Sequence, residues 1–157
     1  MSIPLLQQRE IEANVIAPLV RAFAMEVGEV RAREILAETI HKLAMQAGCS
    51  AAKALGGGDL AHLRQAIETW KVDGALELDV LRDDTDALDF NVTRCRYAEM
   101  YHRLGLGDLG PLLSCSRDAA MIEGFNPAID FQRTQTIMEG ASHCDFRYRP
   151  SKVRPAE

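Results

Sequence analysis

The sequence predicts an α+β protein: N-terminal helices packed with an antiparallel sheet of about four strands and two further helices. Three observations carry this. Over roughly the first seventy positions the apolar residues recur at three- and four-residue steps, the helical period. After Gly74 the period falls to two, in stretches separated by short polar turns. Local hairpins of that kind build an antiparallel sheet, whose apolar face needs helices to cover it. A chain of 157 residues is long enough for one domain with a real core and too short to expect two. A single domain over 1–157 is therefore expected, with a helical half over 1–73, an α+β half carrying the chemistry over 74–150, and a tail over 151–157.

The elements follow in order. EIEANVIAPLVRAFAMEVG places Ile11, Val15, Leu19, Ala22 and Phe23 in helical register, with Pro18 expected to kink or divide the segment. VRAREILAETIHKLAMQAG continues with Val30, Ile35, Ile40, Leu43 and Ala47 as its expected buried stripe. GGGD at 56–59 breaks the pattern, and Asp59 can cap the next helix, LAHLRQAIETWKV. Nothing in this half looks chemical. His41 and His62 read as packed or surface histidines, Trp70 and the methionines as core filling, and Cys49 beside the Gly48 helix stop as buried or incidental.

ALELDVLRDD then alternates Leu76, Leu78 and Val80 against Glu77 and Asp79. DALDFNVTR alternates Leu88, Phe90 and Val92 against Asp89, Asn91 and Thr93, so the DDTD between them is a hairpin turn and one sheet face is wet. CRYAEMYHRLG returns to helix and stops at Gly105. LGPLLSCSRDAAMIEGF reads as a further helix, ended near Gly124 and the Asn126-Pro127 turn, and AIDFQRTQTIM and SHCDFRY as the last two strands.

With 47% hydrophobic and 26% charged residues the composition is that of a globular protein rather than a disordered one. A formal net charge of −5 argues against a nucleic-acid binder that works by neutralising phosphates. The basic tail Arg147, Arg149, Lys152 and Arg154 reads as a solvated end. No apolar run approaches the ~20 residues that span a bilayer, and the start MSIPLLQQREIE lacks the basic opening of a signal peptide. Four cysteines without export features read as free thiols in a reducing compartment, the cytoplasm. Cys49, Cys95, Cys115 and Cys144 form no CxxC, which removes the zinc-ribbon reading. The edges of a small antiparallel sheet leave homo-oligomerisation open.

Three cysteines stand beside acids. Cys95, Glu99 and His102 are spaced i, i+4, i+7, and Cys115 and Asp118 i, i+3; each set would share one helix face. Cys144 and Asp145 are adjacent on a strand and point to opposite faces, so that if Cys144 faces a pocket, Asp145 braces the backbone from the far side. Arg94, Arg133 and Arg147 are candidates to stabilise a thiolate or to clamp a carboxylate through two hydrogen bonds. The bland readings are small buried cysteines and strand arginines paired with acids. A mixed metal site from Cys95, Cys115 and Cys144 with Asp118 or His102 lacks motif spacing. A redox pair among the same cysteines would need Cα atoms about 4.4–6.8 Å apart.

FNVTRCRYAEMYHRLGL, SCSRDAAMIEGFNPAIDFQRTQTIMEG and CDFRY resemble the L-2-amino-thiazoline-4-carboxylic acid hydrolase family over roughly residues 75–149, with weaker likeness in the helical half. The family pattern is a Cys at the start of a helix, a C-x-x-D, an R-T-x-T strand and a terminal G-x-x-x-C-D-F. Here these fall on Cys95, on Cys115 and Asp118, on Arg133 to Thr136, and on Gly140 with Cys144, Asp145 and Phe146. The resemblance implies a hydrolase that opens a five-membered ring at a C–N bond, turning L-2-amino-thiazoline-4-carboxylate, or a related cyclic amidine or amide, into a carbamoyl-cysteine or its analogue.

On that reading Cys144 is the nucleophile, with Cys95 next, and Asp118 beside Cys115 is the acid/base. Arg133 binds the substrate carboxylate, and Asn91, Thr134 or Thr136 supplies hydrogen bonds to the ring. Thr134 and Thr136 share one face of a regular strand and Arg133 the other, so not all three can line one pocket. Glu99 pairs with an exocyclic amino group or with Arg96 or Arg103. No cofactor is assumed, and a divalent metal is left open. The competing class is a non-catalytic small-molecule binding or sensor domain built on the same pocket.

Overall fold

The computed structural model describes residues 3–152; the Arg154 end of the basic tail lies outside them. Two long helices, α1 (Leu5–Val27) and α2 (Glu29–Leu55), are joined by Gly28 alone. Its φ of +87° lies in the region that glycine enters without steric cost, which permits so tight a reversal. α1 runs unbroken through Pro18, so the expected division is not found. The apolar stripes also need correction. Ala13, Ala17 and Val20 of α1 pack with Ala32, Leu36 and Ile40 of α2, whereas Ile11, Val15, Leu19 and Phe23 face outward. Of the stripe expected on α2, Ile40 is buried, and Val30, Ile35 and Leu43 are exposed. The larger residues drew the reading, but small ones on α1 let the two helices approach.

α2 ends at Gly56, in left-handed conformation, and α3 (Leu60–Glu68) begins on Asp59, whose carboxylate accepts the His62 backbone N–H at 2.9 Å as an N-cap. A 3-10 segment (Thr69–Gly74) leads into the sheet, which has four strands: β1 (Leu76–Asp83), β2 (Leu88–Cys95), β3 (Ile129–Gln132) and β4 (Cys144–Pro150). They pair antiparallel throughout in the order β1-β2-β4-β3. Asp84 closes the first hairpin by accepting the N–H groups of Asp86 and Ala87 at 2.8 and 2.9 Å, an aspartate turn. On the inner face Phe90 stacks on Phe146 and Phe131 on Tyr148, both at 4.9 Å between ring centres. Leu63, Ile67, Met121, Ile122 and Phe125 cover this face.

The last segment of the sheet is shorter than expected. β3 stops at Gln132, and RTQT continues without strand pairing into a 3-10 turn (Ile137–Glu139). Between the hairpins lie α4 (Arg96–Arg103), a π-helical turn (Pro111–Cys115) and α5 (Arg117–Phe125), so the second expected helix is interrupted at Cys115. The architecture is therefore α+β, with the helices packed on one antiparallel sheet. Two apolar clusters fill it, one between sheet, α3 and α5, the other among α1, α2 and α4; Cys95 and Ile137 pack against both. Among the described residues no helix is long and apolar enough to cross a membrane.

Candidate functional site

Where the two clusters meet, the packing leaves a cavity of about 410 Å³. Cys95, Cys115 and Cys144 line it together with Asp118 and Arg133. Four separate segments deliver these groups. Cys95 ends β2 and caps α4, its Sγ accepting the Ala98 N–H at 3.4 Å. The expected shared face with Glu99 and His102 is not formed. Glu99 lies outside the cavity lining, paired with Arg94 (Nε to Oε1, 2.8 Å), and His102 meets the Met138 carbonyl at 3.1 Å.

Cys115 closes the π turn and Asp118 lies in the first turn of α5. A π turn adds a residue to the helical repeat and is common where a helix must aim side chains at a site. Arg133 follows directly on β3. Its guanidinium donates to Asp118 and, from both Nη atoms at 3.2 Å, to the Cys115 carbonyl. It also lies 5.5 Å from the Phe146 ring centre, a cation–π contact.

Cys144 opens β4, and its Sγ accepts the Ile137 N–H at 3.2 Å. Asp145 faces the other way and accepts three hydrogen bonds: Thr134 N–H at 2.8 Å, Thr134 Oγ1–H at 2.5 Å and Gln135 N–H at 3.0 Å. It thus fixes the backbone that aims Arg133. Thr134, Thr136, Asn91 and Asp145 are not among the lining residues. Thr136 is buried and exchanges hydrogen bonds with Glu139 as the cap of the 3-10 turn, and the Asn91 side-chain Oδ1 accepts from Arg147 Nη2 at 2.9 Å. Their polar groups build the frame around the cavity.

Sequence reasoning missed two further cations. Arg9 and Arg117 also line the cavity, and both reach the single carboxylate of Glu12, at 2.7 and 3.2 Å. Desolvation, helped by the Arg9 charge, depresses the Arg117 pKa. Nothing local in the sequence links positions 9, 12 and 117. The remaining wall is largely apolar: Ala44, Ala47, Ala51, Ala54 and Leu55 of α2, with Ala66, Trp70, Leu76 and Met121 opposite. From Ala44 to Leu55 the helix rises about 16 Å, so the cavity is elongated.

The electrostatics are set by burial. Desolvation lifts Asp118 to about 6 against the opposing charge and hydrogen bond of Arg133; 22% of its side chain is exposed, and it lines the cavity. Desolvation likewise raises Cys95, to about 11, and raises Cys115 and Cys144. For Cys144 the Ile137 amide and the Arg133 charge work in the other direction. All four cysteines are free thiols, and among the described residues no three His, Cys, Asp or Glu side chains are grouped to hold a metal ion. At Asp145 desolvation acts upward, but its hydrogen bonds to Thr134 and Gln135 prevail and hold it below the usual aspartate range.

Replacing Asp145 with alanine is expected to cost about 2 kcal/mol, because three donors lose their acceptor. In the wild type the stabilisation from this brace is present above the ordinary aspartate pKa and is lost as pH falls through the lower folded value. Urea unfolding of both proteins at neutral and acid pH measures the difference, which should shrink as Asp145 protonates.

A family model described as L-2-amino-thiazoline-4-carboxylic acid hydrolase matches residues 8–148. No curated protein matches the chain significantly. Among solved structures the phenol-responsive sensory domain of the transcription activator PoxR, with phenol, is 15% identical with a TM-score of 0.53, covering 88% of this chain and 73% of that one. Subunit 3 of a trafficking protein particle complex from Naegleria fowleri, covalently bound to palmitic acid, is 12% identical with a TM-score of 0.54, covering 95% and 98%. At these identities the likeness is one of fold.

Proposed function

The chain belongs to the L-2-amino-thiazoline-4-carboxylic acid hydrolase family, and from that premise we propose that it opens a small five-membered ring at a C–N bond in the cytoplasm. The substrate class is L-2-amino-thiazoline-4-carboxylate or a related cyclic amidine or amide. The observation that carries this reading is the convergence of three thiols and the Asp118–Arg133 pair on one cavity. The Cys144 sulfur adds to the amidine-like carbon between sulfur and nitrogen as its proton passes to Asp118. The C–N bond breaks and the ring nitrogen leaves with that proton, and water then adds to the same carbon and releases the Cys144 thiol. The product of the thiazoline is a carbamoyl-cysteine.

Asp118, lifted to about 6, is ionised at neutral pH yet basic enough to take a proton and return it to the leaving nitrogen. Cys144 is the first choice of nucleophile, with Cys95 next and Cys115 third. The Ile137 N–H donates to the Cys144 sulfur and the Arg133 charge favours its thiolate. Cys115 carries the added repulsion of Asp118. The substrate carboxylate fits the Arg9–Arg117 pair better than Arg133, whose fork is taken by Asp118 and the Cys115 carbonyl, whereas two guanidiniums share the one Glu12. The long alanine wall leaves room for an apolar substituent on the ring.

Turnover of L-2-amino-thiazoline-4-carboxylate, followed by mass beside Cys95→Ser, Cys115→Ser and Cys144→Ser, tests this. The expected result is ring opening by the wild type and a loss of about a hundredfold or more in Cys144→Ser. Full activity in all three variants would exclude covalent catalysis by these thiols. The second reading, a non-catalytic binding or sensor domain, is favoured by the burial that holds all three thiols protonated, and one fold relative was solved with phenol. Saturable binding of the thiazoline, or of phenol as a probe, without turnover would establish that reading instead.

A further inference from the structure

α1 is apolar on two opposite sides, and the fold uses only one. Ala13, Ala17 and Val20 are buried against the neighbouring helices, while Ile11, Val15, Leu19 and Phe23 are 52%, 57%, 52% and 56% exposed. Met25 near the end of α1 and Val30 at the start of α2 are also exposed, at 87% and 74%, but belong to other faces. A helix apolar all round is normally buried all round. Two charged neighbours are turned away from this face, Glu12 toward Arg9 and Arg117 and Arg21 toward Asp108, and Glu26 stands at its C-terminal end.

We propose that this face of α1 is the interface of a homodimer, in which α1 packs antiparallel on α1 of a second copy. The spacing of the four central residues is self-complementary. A twofold axis near position 17 sets Val15 against Leu19 of the second copy and Ile11 against Phe23, a smaller residue opposite a larger one each time. The i, i+4 ridge formed by Ile11, Val15, Leu19 and Phe23 then interlocks with its own image, as ridges of that spacing do in helix pairs. The four ridge side chains present on the order of 400 Å² of continuous apolar surface, a patch of the size that often marks an interaction site.

A membrane surface is a poorer occupant. Helices that lie on membranes are rich in Lys and Arg along their polar flanks, whereas α1 sets Glu10, Glu12 and Glu26 against Arg9 and Arg21 in a chain of net charge −5. The proposal does not depend on the catalytic reading.

Light scattering on the full chain over a wide concentration range should give twice the 17.4 kDa of one copy. Leu19→Glu and Val15→Lys should each give the single mass with unchanged far-UV dichroism. Mixed together they should form a one-to-one complex, since the new glutamate of one copy then faces the new lysine of the other. If either variant fails to fold alone, coexpression of the two replaces mixing, and recovery of the one-to-one complex supports the register. A monomeric wild type overturns the proposal, including the case in which it sediments with phosphatidylglycerol vesicles. So does a Leu19→Glu dimer, or a pair of variants that never associate.

Discussion

Gly48→Ala is expected to destabilise the protein by about 3 kcal/mol, at the upper end of overpacking costs. A β-carbon at Gly48 would lie 2.0 Å from the Met121 carbonyl oxygen and 2.8 Å from the Phe125 nitrogen, and both are backbone atoms of α5. Gly124 is the reciprocal contact, where a β-carbon would meet the Met45 carbonyl at 1.9 Å. The two helices therefore touch backbone to backbone, each through a glycine of its own. No side-chain rotation relieves either clash, so α5 must shift and carry Asp118 with it. Thermal unfolding should show a drop of about 6–12 °C for either variant, and the double variant should cost less than the sum because both open the same seam. Gly57→Ala is the control. The nearest neighbours of its new β-carbon are atoms of the His62 ring, a side chain that can move, and the expected cost is below about 1 kcal/mol. A Gly48→Ala protein as stable as the wild type would mean that α2 and α5 are not in this contact.

The architecture was legible where a local signal and a tertiary requirement agree. Leu88, Phe90 and Val92 alternate because one face of β2 is buried, and Asp59 caps α3 because a helix start must satisfy its amides. The reading failed where they part. RTQT has strand-like residues, but Asp145 collects the Thr134 and Gln135 amides and removes them from any ladder. Pro18 costs α1 one hydrogen bond, yet the helix continues because its neighbours hold it on both sides of that residue. Cys95, Cys115, Cys144, Asp118 and Arg133 were readable as candidates from residue chemistry and family likeness, and the fold gathers them. Asn91, Thr134 and Thr136 were equally plausible by type. Asn91 turns outward by the alternation of β2 between buried Phe90 and Val92, and the end of β3 decides that Thr134 and Thr136 turn to the frame. Arg9 and Arg117 carried no sequence signal at all, since their meeting at Glu12 joins positions more than a hundred residues apart.

Asp118→Asn should abolish turnover by about a hundredfold to ten-thousandfold if this carboxyl moves the proton to the leaving nitrogen. The pH dependence gives the sharper test. A base must be ionised, so kcat/KM of the wild type should fall as pH drops through about 6, the folded value of Asp118. Arg133→Gln removes the neighbouring positive charge, which lets desolvation act unopposed and raises the Asp118 pKa further. The acid limb should then move to higher pH, and activity lost at neutrality should partly return under alkaline conditions. A residue that merely supported the fold would lower the whole profile without moving the limb. Stability runs the other way from an ordinary salt bridge. Between 3.8 and about 6 the folded chain holds a proton at Asp118 that the unfolded chain has released. The folded state thus binds more protons in that window, and stability falls as pH rises through it, by on the order of 3 kcal/mol. Asp118→Asn should lack that decline. If the decline persists in the variant while the kinetic limb disappears, the two effects belong to different groups, and Asp118 keeps the catalytic role alone.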